Sequence, residues 1–263
     1  MYNACMQFKQ VGIALGILII LGVIFGFWAS QSGSGMQKEE SILGGEQIGE
    51  GDEYVYTEKG DYYTIEAHYP KSRPVVEQAL ADRIAQFKKD GNFANLTAED
   101  VQIQGLGPDR KYALDLEYKH YISAGYHSYA YTVYEDTLGA HPNTYFMTFV
   151  FDAKGNAVAL ETLFRADRNW LEELSLLVSN DVSAQYRARS GAKDLTGLLF
   201  PEGLAPKVEN FQNFVLDGDQ FVIMIPPYQV AAYAVGSFEV KIPLVNLKDL
   251  LKPGLFEAGN QDA

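Results

Sequence analysis

The chain has 263 residues, a formal net charge of −13, 47% hydrophobic residues and a single cysteine, Cys5. That length accommodates one large domain or two small ones, and so acidic a surface excludes nucleic-acid binding, which needs cationic groups to displace counterions. With one cysteine no disulfide can form within the chain, and Cys5 precedes the apolar run instead of following it, so it is not a lipoprotein cysteine.

Residues 1–10 hold one charge, Lys9, and read as a short cytoplasmic tail. Residues 11–29, VGIALGILIILGVIFGFWA, carry no charge and as a helix span roughly 28 Å, close to the hydrocarbon thickness of a bilayer. Lys9 before the run and the acidic tract after it put the remainder outside the cytoplasm. Two readings stand. An uncleaved transmembrane anchor is favoured by the length of the run; a cleaved signal peptide would use Ser30-Gln31-Ser32 as its small-residue site. Residues 30–60, opening with SQSGSG and scattered with Glu and Gly, are expected to be a flexible acidic linker. Within them, residues 54–57 are a candidate edge strand.

Folded structure is expected from Asp61. Residues 62–69 read as a strand. Residues 73–89 set Val76, Leu80, Ile84 and Phe87 at helical spacing behind Pro74. Residues 112–121 alternate, with Leu114, Leu116 and Tyr118 on one face and Asp115, Glu117 and Lys119 on the other. Strands are expected next over residues 125–138 and 143–151, then a hairpin turn at 152–156 leading to 157–161. Residues 167–187 form the second helical pattern, with Asp167 as N-cap. A loop covers 190–206, a hairpin is expected over 211–225, and residues 239–243 and 244–251 supply a strand and a terminal amphipathic turn. The fold class is α+β: mainly antiparallel sheet with two long helices, preceded by one N-terminal transmembrane helix.

Motifs that carry chemistry are scarce. His68, His120, His127 and His141 form no HExxH pair. His120 and His127 face each other across a hairpin, but without a third ligand they fall short of a zinc site. No GxSxG elbow occurs, and Gly105-Leu-Gly107-Pro108 lacks the third glycine of a dinucleotide loop. No catalytic residue, metal site or cofactor is assigned. Seven tyrosines (112, 118, 121, 126, 129, 131 and 134) crowd two consecutive strands. They suit either a sheet core or a face that stacks on sugars or proteins.

Two segments are more specific. Residues 224–247 read MIPPYQVAAYAVGSFEVKIPLVNL and residues 140–164 read AHPNTYFMTFVFDAKGNAVALETLF. In them the chain resembles the extracytoplasmic paired domains of unknown function found in lysozyme-receptor anti-sigma factors and beside peptidoglycan deacetylase domains. The resemblance implies two modules, at 61–161 and 162–252, followed by a tail at 253–263. It singles out His141 and Asn143, in the His-Pro-x-Thr segment, and Tyr228 and Tyr233, in the Tyr-x-x-x-x-Tyr close, as ligand-binding candidates. It implies a non-catalytic envelope module, and the anchoring in the cytoplasmic membrane read from residues 11–29 agrees with it. Its partner is expected to be a cationic, lysozyme-like protein or a peptidoglycan fragment. Neither a sigma-binding segment nor a deacetylase domain is expected in this chain. A cell-wall polymer hydrolase with an unrecognised site, and a purely structural envelope protein, are the alternatives.

Overall fold

The computed structural model describes residues 42–43, 46–47 and 52–256. The apolar run at 11–29, and with it the expected anchor, lies outside them. Among the described residues no helix is long and apolar enough to cross a membrane.

Sheet structure begins earlier than expected. β1 (Glu46–Gln47) and β2 (Glu53–Lys59) precede β3 (Tyr63–Pro70). β2 pairs with β1 on one side and β3 on the other, so it is neither linker nor edge. The reason is a period of two inside an acidic stretch: Tyr54 and Tyr56 pack on a hydrophobic core, and Glu58, of the same parity, turns to Lys88.

α1 (Pro74–Asp90) follows and buries the four residues expected of it, Val76, Leu80, Ile84 and Phe87. α2 (Ala98–Gln104) was not foreseen, because it buries nothing and so shows no apolar stripe. Local chemistry specifies it instead. Thr97 and Asp100 form a reciprocal capping box, and Gly105 closes it at φ 64°. These helices form the crossover that lets β4 (Tyr112–Ser123) pair in parallel with β3. β5 (Tyr126–Asp136) and β6 (Asn143–Phe151) then add in antiparallel fashion, giving the order β1-β2-β3-β4-β5-β6. The β4–β5 hairpin turns on two residues, Ala124 at φ 46° and Gly125 at φ 83°, the positive pair that a tight hairpin needs.

Beyond β6 the expected strand at 157–161 reduces to one bridge, Phe151 to Ala157, before α3 (Leu160–Leu163). α4 (Trp170–Ser190) starts three residues later than expected. Its N-cap is Asn169, not Asp167, whose carboxylate is taken by Arg165 through Nε at 3.0 Å and Nη2 at 2.7 Å. α5 (Val208–Phe211) occupies the start of the expected hairpin, so β7 (Phe214–Asp217) begins at Phe214 and pairs with β8 (Gln220–Ile225). β9 (Phe238–Pro243) completes a three-stranded antiparallel sheet, and α6 (Leu244–Leu247) follows it. The architecture is α+β with mostly antiparallel pairing.

Strand alternation sorts the side chains into layers. Ile65, Leu114, Leu116, Tyr129, Tyr131 and Val133 face α1. Phe221, Ile223 and Ile225 of β8 face α4, with Leu174, Val178 and Val182 opposite. Between the sheets Ala130 meets Val215, Val222 and Met224. The order is therefore helix, sheet, sheet, helix.

The outer edge of β7 would leave amides unpaired. Leu216 N donates to the Ser128 hydroxyl at 3.1 Å, and Phe214 N donates to the Thr148 hydroxyl at 3.1 Å. Gly218 N donates to the Ile122 carbonyl at 3.1 Å, and the Ser123 hydroxyl donates to the Gly218 carbonyl. Ser128 is fully buried. Ser128→Ala leaves the Leu216 amide unsatisfied and is expected to destabilise the protein by about 1–3 kcal/mol, read as a lower urea midpoint with unchanged secondary structure.

Candidate functional site

β8 stops at Ile225 because Pro226 and Pro227 offer no amide donors. The chain then crosses to β9 through Tyr228 and a short 3-10 turn at Tyr233–Val235. Val230 and Ala231 are buried under it. The Gln229 amide nitrogen donates to the Gly203 and Asn210 carbonyls at 3.0 and 2.9 Å, and Phe200 N donates to the Val230 carbonyl at 2.8 Å. A side chain at Gly203 would place its Cβ 1.9 Å from the Gln229 oxygen, so only glycine fits there. On the α4 side Arg189 donates to the Ser237 carbonyl at 2.8 Å and covers the Phe238 ring at 4.3 Å. The crossing segment is pinned from both ends.

That segment meets the loop between β5 and β6. The His141 ring stacks on Tyr233 with centroids 3.8 Å apart and planes at 16°. His141 Nε2 lies 3.3 Å from the Tyr228 hydroxyl, and Tyr228 and Tyr233 lie 5.2 Å apart. The Tyr233 hydroxyl donates to the Pro142 carbonyl at 2.8 Å, and His141 Nδ1 lies 2.8 Å from the same oxygen. Three of the four residues singled out in the sequence, 87 or more positions apart for His141 and the tyrosines, thus form one aromatic platform. The fourth, Asn143, opens β6 two residues on and is exposed. Tyr228 is 55% exposed and sits at φ 69°, a left-handed conformation that costs a tyrosine of order 1 kcal/mol or more. Tyr134, missed in the sequence as an individual candidate, lies close enough that burial, Asp136, Asp115 and Tyr233 together push its phenol up.

The other tyrosines of β4 and β5 mostly face inward. Tyr126, Tyr129 and Tyr131 are buried, and the Tyr131 hydroxyl donates to the His68 carbonyl at 3.0 Å. Register sets His120 opposite Tyr129 and His127 opposite Ile122, so the two histidines meet diagonally and not face on. His120 Nε2 lies 3.0 Å from His127 Nδ1. No group of three metal-binding side chains occurs among the described residues.

A second polar cluster holds β2 to α1. Glu58 accepts hydrogen bonds from the Tyr56 and Tyr63 hydroxyls and from Lys88. Burial pushes its carboxyl up, but these three donors outweigh burial and hold it below the ordinary value of 4.5. Burial and the Glu58 charge push both phenols up to about 12. Both Glu58 carboxylate oxygens are engaged by these neighbours, so the cluster is a brace.

Two facing sheets, each backed by a helix, with an aromatic platform where their connecting loops meet, define an α+β domain. Residues 161–244 match the family described as "Protein of unknown function (DUF3298)". The chain is 24% identical over 258 residues to the peptidoglycan-N-acetylmuramic acid deacetylase PdaC of Bacillus subtilis (strain 168), covering 94% of this chain and 51% of that protein. It therefore spans about half the length of that relative. Two crystal structures share the fold, each with a TM-score of 0.54. One is a DUF3298 family member from Bacteroides fragilis NCTC 9343, at 20% identity over 76% of this chain and 92% of that one. The other is a DUF3298 family protein from Pseudomonas aeruginosa PAO1, at 15% identity over 78% of this chain and 95% of that one.

The brace carries a pH signature. A carboxylate held below its unfolded value contributes stability that is present above about 4.5 and lost as pH falls through the folded value. Glu58→Gln is expected to melt lower than wild type at pH 7 and to show a shallower loss of melting temperature below pH 4.5, measured by thermal scans across that range.

Proposed function

We propose that this chain is a membrane-anchored, extracytoplasmic protein of the cell envelope whose domain binds peptidoglycan without cleaving it. The platform of His141, Tyr228 and Tyr233 receives the glycan, with Asn143 beside it. The observation that carries this reading is Tyr228: an exposed aromatic ring on a strained backbone, in a segment otherwise locked by buried neighbours and side-chain hydrogen bonds. Strain of this kind persists where the surroundings impose it and clusters at ligand-binding positions. Flat tyrosine faces supply contact area at low entropic cost. The similarity to a relative named for acting on peptidoglycan supports the choice of ligand. The charge-free run at 11–29 supports the anchor. The acidic surface, in which Asp115 is pushed up by burial and by Glu66 and Glu117, also suits a cationic protein partner.

The full chain in detergent is expected to co-sediment with purified, insoluble peptidoglycan. Tyr228→Gly relieves the left-handed strain and removes the ring, so it is expected to keep or raise the melting temperature while weakening retention about 2- to 13-fold. Undiminished retention by this variant, or none by the wild type, sinks the reading. Retention of c-type lysozyme in place of peptidoglycan would transfer the platform to a protein ligand.

A further inference from the structure

A second set of groups with no assigned role lies at the hairpin end of β4 and β5, on the face turned toward α1. Arg73 precedes α1 and holds its guanidinium carbon 5.1 Å from the Phe151 ring centre and 5.8 Å from that of Tyr129. Its Nε is buried without a hydrogen-bond partner, and its hydrogen bond to the Ser72 carbonyl is long, 3.5 Å. Among the described residues no carboxylate lies within ion-pair distance of it.

His120 stacks on the same Tyr129 ring, with centroids 4.6 Å apart and planes at 5°, and it hydrogen-bonds His127. In that bond one imidazole donates and the other accepts, so the accepting ring keeps its own N–H for an outside partner, while the donating ring's second nitrogen is an acceptor. The turn after β6 approaches Arg73 at Gly155. Its acid, Asp152, is already engaged by Lys154 N at 2.9 Å and by the Asn156 amide nitrogens, the backbone one at 2.8 Å. Lys154 adds a further cation to that turn.

An unpaired, partly buried guanidinium is costly, and the ring faces of Tyr129 and Phe151 offset only part of that cost. The chain as a whole is strongly acidic, yet Arg73 and His120 both pack on Tyr129, with Glu53 beside that ring's neighbour Tyr118. Burial first, and then His127 and Arg73, push the His120 imidazole down.

We propose that Arg73, His120 and His127 form a binding site for an oxyanion, a carboxylate or a phosphate group. Arg73 supplies the fixed charge and its planar donors, and the histidine pair supplies the one N–H that their mutual hydrogen bond leaves free. The site is separate from the aromatic platform and stands without it.

The test is NMR of the imidazole resonances of the full chain in detergent, at pH 7 and constant ionic strength, titrated separately with inorganic phosphate and with acetate. Saturable shifts of His120 and His127, with His141 unmoved, are expected for at least one anion. Saturation by phosphate alone assigns the site to phosphate groups, and saturation by acetate alone assigns it to carboxylates. Arg73→Gln is expected to weaken the affinity about tenfold or more. His127→Gln, which leaves the ring contacts of Arg73 in place, is expected to weaken it as well, with an otherwise unchanged spectrum. Tyr228→Gly is expected to bind the anion as the wild type does, so failure of the glycan reading and of this one are told apart. Linear, non-saturating shifts with both anions, movement of His141 at the same affinity, or undiminished binding by both Arg73→Gln and His127→Gln would overturn the proposal.

Discussion

The structure depends on how the edge of β7 is closed. A three-stranded sheet has two edges, and an edge strand of buried residues such as Phe214, Val215 and Leu216 cannot leave its amides unpaired. Here the facing sheet supplies the acceptors. Ser128 and Thr148, on adjacent strands, take the amides of Leu216 and Phe214, two residues apart along one edge. Small side chains are required at that contact, and β5 provides Ser128 and Ala130 on the face where Val215, Val222 and Met224 pack. A larger residue at either position would hold the sheets apart and break both hydroxyl bonds.

Position of the aromatic platform follows from this closure. β8 runs from the closed corner to Pro226, and β5 runs to the loop that holds His141, so fixing the sheets fixes where the two connections meet. Local devices then set the fine geometry: the proline pair that ends β8, the glycine at 203 that admits the Gln229 carbonyl, and Arg189 reaching across from α4. None of them touches the exposed face of Tyr228. A segment built only to close the fold has no need of an exposed tyrosine at positive φ, where glycine would serve at lower cost.

Much of the fold was legible because its signals are periodic. Leu114 and Leu116 alternate cleanly into the core, and Val76, Leu80, Ile84 and Phe87 mark the buried face of α1. Where polar residues mask the period, reading was partial: β2 shows only as a candidate edge strand at 54–57 because Tyr54 and Tyr56 stand among acids, and α2 has no buried face at all. Asp167 had the right chemistry for an N-cap, but Arg165, two residues away, competes for its carboxylate. The parallel pairing of β3 with β4 is a tertiary choice that no local pattern encodes. At the candidate site, His141, Tyr228 and Tyr233 were legible through family resemblance, since residues so far apart in the chain carry no spacing signal. Arg73 was invisible, because a guanidinium without a carboxylate is recognised only when its surroundings are known.

The two sets of exposed groups occupy opposite faces and opposite ends of β5. His127 and Tyr134 are seven residues apart, which in an extended strand is roughly 24 Å. His120 lies against Tyr129, on the face toward α1, whereas Tyr134 has the opposite parity and lies near Tyr233. A short ligand cannot reach both places, and a stiff one would have to bend around the β5–β6 edge. Because β5 is paired on both sides and its small face packs on the second sheet, a shift of either end would strain the contact at Ser128. The platform and the cationic cluster are therefore tied to one strand but chemically distinct, one built of stacked aromatic rings and the other around a guanidinium.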